Sequence, residues 1–345
     1  RVLLREGREA EALRETQALR RAYPGIDLPP DHPARYKDIN QTLSELTSKY
    51  AENLLDATNA WSKPIEDEAS LAGLPDSAKA LARQTAAERG EPGWLLTLDF
   101  PSYMPVMTYA DDRALRQEVY TAYGTRASDQ GPDAGRWDNT DLMEQILALR
   151  HELAQLLGFA NFAERSLATK MAKDPAQVLA FLDDLALRSV ERARGELAEL
   201  TDYARDLHGV DTLEPWDVSY YSEKLRQHRY QIGQEELRPY FPMTRVLPGM
   251  LSLVERLFGL AITEVTGVET WHREVRFFEI RDQSGALRGQ FYLDPYARQN
   301  KRGGAWMDVC TSRLHTPRCD QIPVAYLVCN FTPPVDGRPS LLTHT

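Results

Sequence analysis

The sequence predicts a mainly α-helical protein with a small β-sheet near its C-terminal end. Three observations carry this. Apolar residues recur at three- and four-residue steps through the first two thirds of the chain, as on the buried stripe of a helix. Proline and glycine interrupt that pattern at intervals suited to ordinary helices. From about residue 260 the period changes to two, the spacing of strands. The expected division is a helical region over 1–259 and a β-sheet part over 260–345.

Residues 1–23 are rich in Arg, Glu, Ala and Leu, all good helix formers, and Pro24-Gly25 stops them. A second helix is expected over 33–61, with Ile39, Leu43, Leu46, Tyr50 and Leu54 as its buried stripe. A loop with Pro64 leads to a short helix at 76–89. Residues 93–109 contain Pro101 and Pro105 and read as an extended apolar segment packed across helices. Helices follow at 111–127 and 138–157, the latter ended by Gly158 in the C′ position. Asp174, Pro175 and Gln177 form a helix start of N-cap, N1 and N3 residues, and that helix can run to His208 before Gly209. Further helices fit 217–229 and 248–258, closed by Gly259.

Residues 275–281 and 287–293 are expected as a hairpin turning at Ser284-Gly285, with further strands at 303–309 and 322–331. In the last of these, Val324, Tyr326 and Val328 point one way and Ala325, Leu327 and Phe331 the other. Both sets are apolar, so cover is expected on both faces, part of it from outside this chain. There is no solenoid repeat.

Composition narrows the class of protein. The chain has 345 residues, 42% hydrophobic and 27% charged, which excludes wholesale disorder. Its net charge of −10 argues against a nucleic-acid surface, where basic patches supply the affinity. No apolar run reaches the ~18 residues of a membrane span, and no secretory signal leads the sequence. Cys310, Cys319 and Cys329 are too few and too widely spaced for a disulfide framework or a zinc knuckle, so reduced, partly buried thiols in a cytoplasmic protein are expected. The sequence opens at Arg1 and stops at Thr345 where a helix could begin, and both ends read as cut.

No complete catalytic set emerges from the residues. His151-Glu152-Leu-Ala-Gln155 approaches a zinc helix, but Gln155 stands where the second imidazole must be, one turn on. The simpler reading is the polar edge of a packed helix. His208 and His228 sit near helix ends, and His315 lies near Cys319 with no further ligand evident. Phosphate-binding glycine loops and the nucleophile elbow are absent from the sequence. Asp111-Asp112 and Asp183-Asp184 belong to helix starts or solvated faces. The stretch from Tyr296 to Asp308 is unusual, because Gly303, Gly304 and Ala305 precede Trp306 inside a strand-like segment. Either this is an edge strand open to pairing with an extended peptide, or it is a bulge followed by a packed Trp.

Several long strings carry a family resemblance. They include Asn53-Leu-Leu-Asp-Ala-Thr-Asn-Ala-Trp61, Leu95-Leu-Thr-Leu-Asp-Phe-Pro-Ser-Tyr-Met-Pro-Val-Met-Thr-Tyr-Ala110 and Ile146-Leu-Ala-Leu-Arg-His-Glu-Leu-Ala-Gln-Leu-Leu-Gly-Phe159. Trp216-Asp-Val-Ser-Tyr-Tyr-Ser-Glu-Lys224, Lys301-Arg-Gly-Gly-Ala-Trp-Met-Asp308 and Val324-Ala-Tyr-Leu-Val-Cys-Asn-Phe331 follow in order. From about residue 28 onward the chain resembles the thimet oligopeptidase family of zinc metallopeptidases.

The resemblance implies a fragment of a two-lobed, helical, zincin-like fold with a deep channel for short peptides. It implies a zinc cofactor, cytoplasmic location, peptide substrates, and a monomer when intact, with neither nucleic acid nor membrane as partner. In that family the His-Glu-x-x-His helix begins shortly after the stretch matching 341–344, so the resemblance assigns no catalytic or metal residue within this chain. It leaves Gly303, Gly304, Ala305 and Trp306 as the candidate substrate-binding strand. The activity implied is endopeptidase; a dipeptidyl carboxypeptidase of the same family, or a non-catalytic helical scaffold module, are the alternatives.

Overall fold

A computed structural model describes residues 32–316 and 319–343, so the helix expected over 1–23 lies outside the described residues. The described residues fall into two compact units, one from 32–54 with 127–199 and one from 55–126 with those from 200 onward. Helix α1 (Pro33–Ala60) belongs to the first unit through Leu54 and to the second beyond it. The change from helix to strand falls elsewhere, at Gly259.

In the first unit, α1 is followed across the sequence by α5 (Thr140–Leu156), α6 (Phe162–Leu167) and the N-terminal part of α7 (Pro175–His208). The apolar stripe expected on α1 is buried only at Ile39; Tyr50 and Leu54 are exposed. The buried position at that end is polar. Asn53 donates to Asn139 Oδ1 at 2.9 Å, and Asn139 donates to the Tyr50 carbonyl at 3.1 Å, so each burial is compensated. Gly158 takes the left-handed conformation (φ 79°) that ends α5. Asp174 caps α7 by accepting from the Gln177 amide at 2.8 Å, and Gly209 (φ 68°) stops it.

The second unit contains β1 (Ser62–Ile65), α2 (Asp76–Glu88), β2 (Trp94–Thr97), α3 (Phe100–Tyr109) and α4 (Arg113–Gly124). Strands β1 and β2 pair antiparallel, from Ser62 opposite Thr97 to Ile65 opposite Trp94. The extended reading of 93–109 holds only for β2; residues 100–109 are helical. Pro101 lies in the first turn, where no amide partner is lost, so only Pro105 removes a donor. Burial of Val106 and Met107 and stacking of Tyr103 on Tyr123 at 3.9 Å offset that loss.

Asp112 starts α4 by accepting from Ala114 and Leu115 amides. Helix α8 (Pro215–Tyr230) begins with a capping box in which Glu214 and Asp217 serve each other's backbone amides. Short α9 (Gln234–Leu237) and α10 (Met243–Phe258) follow. Helix α10 starts five residues before the expected 248, with Pro248 in its first turns and left-handed Gly259 (φ 63°) at its end.

Strands β3 (Leu260–Glu264), β4 (Arg276–Asp282), β5 (Leu287–Tyr296), β6 (Trp306–Thr311) and β9 (Val324–Phe331) form a mixed sheet in the order β3-β4-β5-β9-β6. Between β6 and β9 lies a small hairpin, β7 (Leu314–Thr316) with β8 (Cys319–Gln321). The expected hairpin is present as β4 and β5, with Gly285 at φ 82° in its turn. Asp282 accepts from the Ser284 and Ala286 amides there, and the Ser284 hydroxyl first, then Arg288, hold its carboxyl down to about 2. Strand β9 runs parallel to β5 and antiparallel to β6. One face packs Phe278, Leu293 and Leu327 against Met243 and Leu247 of α10. The other carries Phe277, Tyr292, Tyr326 and Trp271 in mutual ring contact.

Candidate peptide-binding edge

Strand β6 pairs with β9 on one side only, so its other backbone edge is unmatched within the sheet. Unpaired amides and carbonyls in a row can accept a further strand. The side chains of Met307, Asp308, Val309 and Cys310 on β6 are exposed. Of the sequence candidates, Trp306 is the first residue of the strand. Gly303, Gly304 and Ala305 are not in it but form the bend before it, with Gly304 at φ 87°. A left-handed glycine cannot continue a regular ladder, which is why the expected strand over 303–309 begins three residues late.

The loop between β5 and β6 is pinned by polar contacts within the second unit. Asp294, near the end of β5, is buried and accepts from Arg298 at 2.7 and 2.8 Å, Lys301 at 2.8 Å and the Trp271 indole at 3.0 Å. Burial alone would raise its carboxyl, but these donors outweigh burial and hold it at about 2. Lys301 also donates to the Asp294 and Tyr296 carbonyls, and burial lowers its ammonium against the pull of Asp294. Asn59 and left-handed Asn300 bond reciprocally at 3.2 and 3.4 Å. Arg302 lies over the Trp306 ring at 5.5 Å, and the buried Trp306 Nε1 has no hydrogen-bond partner.

The other sequence candidates resolve into structure. Glu152 is bound by Arg35 at 2.6 and 2.7 Å, which holds its carboxyl below the ordinary range; Gln155 donates to the Ala160 carbonyl at 2.8 Å. Both therefore serve the packing of α5 rather than a metal. His208 contacts the Tyr221 hydroxyl at 3.1 Å, and the β7–β8 hairpin sets His315 3.6 Å from Asp320. Cys310 and Cys319 are exposed and Cys329 is half-buried; all three are free thiols. Among the described residues no three His, Cys, Asp or Glu side chains gather as a metal site.

Sequence reasoning missed Asp294, Lys301 and Asn330. Asp294 left a trace, as the one charged residue in the run Phe291-Tyr-Leu-Asp-Pro-Tyr296. Asn330 left none, because the Arg302 and Gly304 carbonyls to which its side chain donates are 28 and 26 residues away in the sequence.

Among the described residues the chain is a helical body joined to a mixed sheet, whose outermost strand β6 leaves one backbone edge unpaired. The model of peptidase family M3 matches residues 106–345. Oligopeptidase A of Salmonella typhimurium is 56% identical over 323 residues, 93% of this chain and 47% of that protein. Oligopeptidase A of Haemophilus influenzae is 54% identical over the same shares, and dipeptidyl carboxypeptidase of Escherichia coli is 32% identical over 97% of this chain and 49% of its own. The chain belongs to peptidase family M3. It spans about half the length of the curated relatives it matches.

Proposed function

We propose that the whole protein is a zinc-dependent oligopeptidase that hydrolyses short peptides in the cytoplasm, and that this chain supplies its helical scaffold and a peptide-pairing edge. The observation that carries this is the 54–56% identity to oligopeptidase A over 93% of the chain. The lower identity to dipeptidyl carboxypeptidase, 32–33%, supports endopeptidase action over removal of C-terminal dipeptides. A relative described as a probable cytosolic oligopeptidase A, from Arabidopsis thaliana, supports the location. No helix among the described residues is long and apolar enough to cross a membrane. The intact protein acts as a monomer on peptides and needs no nucleic-acid or membrane partner.

In this reading the substrate lies extended along the open side of β6, with Gly303, Gly304, Ala305 and Trp306 at one end of that edge. Backbone pairing holds many peptides without demanding a particular side chain. The full-length protein should contain one zinc per chain by elemental analysis and cleave short peptides internally. A zinc-free protein without peptidase activity at full length would refute it; sequential release of C-terminal dipeptides would transfer the chain to the alternative.

A further inference from the structure

At the end of the β6–β9 ladder Trp306 stands opposite Val328, so continued register would set Gly304 opposite Asn330. The ladder stops, and the Asn330 side chain takes its place. Its Nδ2 donates to the Arg302 carbonyl at 3.0 Å and to the Gly304 carbonyl. Both partners only accept, so the nitrogen of the amide must be the atom that faces them. Among the described residues, no hydrogen bond involves Gly303 or Ala305 outside the ladder. A Cβ added at Gly303 or Gly304 would meet nothing within 4 Å. The segment is therefore fixed on the β9 side and bare on the other.

We infer that Asn330 is a positioning residue for peptide binding. By drawing two carbonyls that are two residues apart toward β9, its amide turns the peptide groups between and after them outward. An extended peptide can then add to the sheet one step beyond the end of the regular strand. The ligand is defined by its backbone amides, not by side-chain type. This rests on the peptidase reading above and adds the residue that sets the geometry of its binding edge.

The test uses the full-length, zinc-loaded enzyme, a short fluorogenic peptide, and a series of the same peptide with single N-methylated amides. Asn330→Ala should raise KM about five- to tenfold, the worth of one backbone pairing, while kcat changes by less than about twofold. N-methylation of the peptide residue that pairs with the segment should weaken wild type by a similar factor and the variant by less than about twofold. Asn330→Asp keeps the shape but opposes two carbonyls with a carboxylate, and should raise KM further. Affinity of the uncleaved peptides for zinc-free protein should follow the same ratios, a readout independent of chemistry. Equal N-methyl losses in wild type and Asn330→Ala, or an unchanged KM in Asn330→Asp, would overturn the inference while peptide cleavage by wild type still stood. A wild type that cleaves no peptide would instead overturn the reading beneath it.

Discussion

Asp217→Asn should be among the most costly single substitutions in the second unit. Asp217 is fully buried on α8, where its carboxylate accepts from Arg113 at 2.6 Å and Arg116 at 2.8 Å. It also takes the Glu214 amide at 3.0 Å in the capping box. The Arg116 side chain is 2% exposed, so loss of the carboxylate leaves a guanidinium with no counter-charge in a dry site. Breaking a buried pair in this way costs about 3–5 kcal/mol. The lower end applies here, because Arg116 keeps the Ala110 and Trp216 carbonyls and lies 4.1 Å over the Tyr220 ring. Arg113 is 46% exposed, so Arg113→Gln should cost only ~1 kcal/mol. Urea unfolding followed by the fluorescence of neighbouring Trp216 measures both. At a slope of about 2 kcal/mol per molar, Asp217→Asn should lower the midpoint by more than ~1 M and Arg113→Gln by about half that or less. Equal shifts, or an Asp217→Asn variant as stable as wild type, would show that the buried cluster does not carry the charge balance argued here. Acid gives a second check. Burial works to raise the Asp217 carboxyl, but Arg113 and Arg116 outweigh it and hold it below its ordinary value. Its contribution is therefore complete above the unfolded carboxylate range and is lost as pH falls through the lower native value.

Asp294, on β5 of the same unit, should behave likewise. Its carboxyl is held at about 2 against an ordinary 3.8, so roughly 2 kcal/mol of stability is present above pH ~4 and disappears as pH falls through about 2. Asp294→Asn should remove that amount at neutral pH, measured by urea unfolding. Glu152→Gln should leave peptide cleavage by the full-length enzyme unchanged and cost less than ~1 kcal/mol in melting experiments, because the Arg35–Glu152 pair is half exposed; loss of cleavage would restore Glu152 as a chemical group. On α7, Leu179, Phe181, Leu182 and Leu187 are 59%, 61%, 51% and 76% exposed, apolar surface that should bind a hydrophobic dye. Leu179→Glu with Leu182→Glu should cut the dye signal of the isolated chain by about half, and a dye-negative wild type would count against accessible apolar surface there. Gly304→Pro in the full-length enzyme should raise KM or abolish cleavage, because proline cannot adopt the positive φ of the bend; unchanged kinetics would remove 303–306 from the binding edge.

The elements most legible in the sequence were those whose signals are local. Asp174 and Gly209 bracket α7 because a cap and a left-handed stop act within one turn. The β4–β5 hairpin was legible through its turn and alternation. Residues 100–109 were misread because two prolines suggest extension, while the deciding terms are burial of Val106 and Met107 and the Tyr103–Tyr123 stack, which sequence spacing does not display. The stripe on α1 failed at Tyr50 and Leu54 for a related reason: Asn53 is buried there through a partner 86 residues away. The candidate edge was partly legible. Two glycines before a Trp marked the place, yet the exact start of β6 depends on Gly304's backbone and on Asn330, which approaches only when β9 is in the sheet.

The strand order β3-β4-β5-β9-β6 places β9, the last of these strands in the sequence, next to the middle of the sheet. During synthesis β6 emerges before β9, its partner among the described residues. Until β9 slots in beside β5, β6 is not joined to the sheet, and its open edge is not presented. Presentation of that edge within the sheet thus depends on the non-local closure of β5 on β9. A mutation that slows that closure would delay the appearance of peptide binding without altering any residue that the peptide meets.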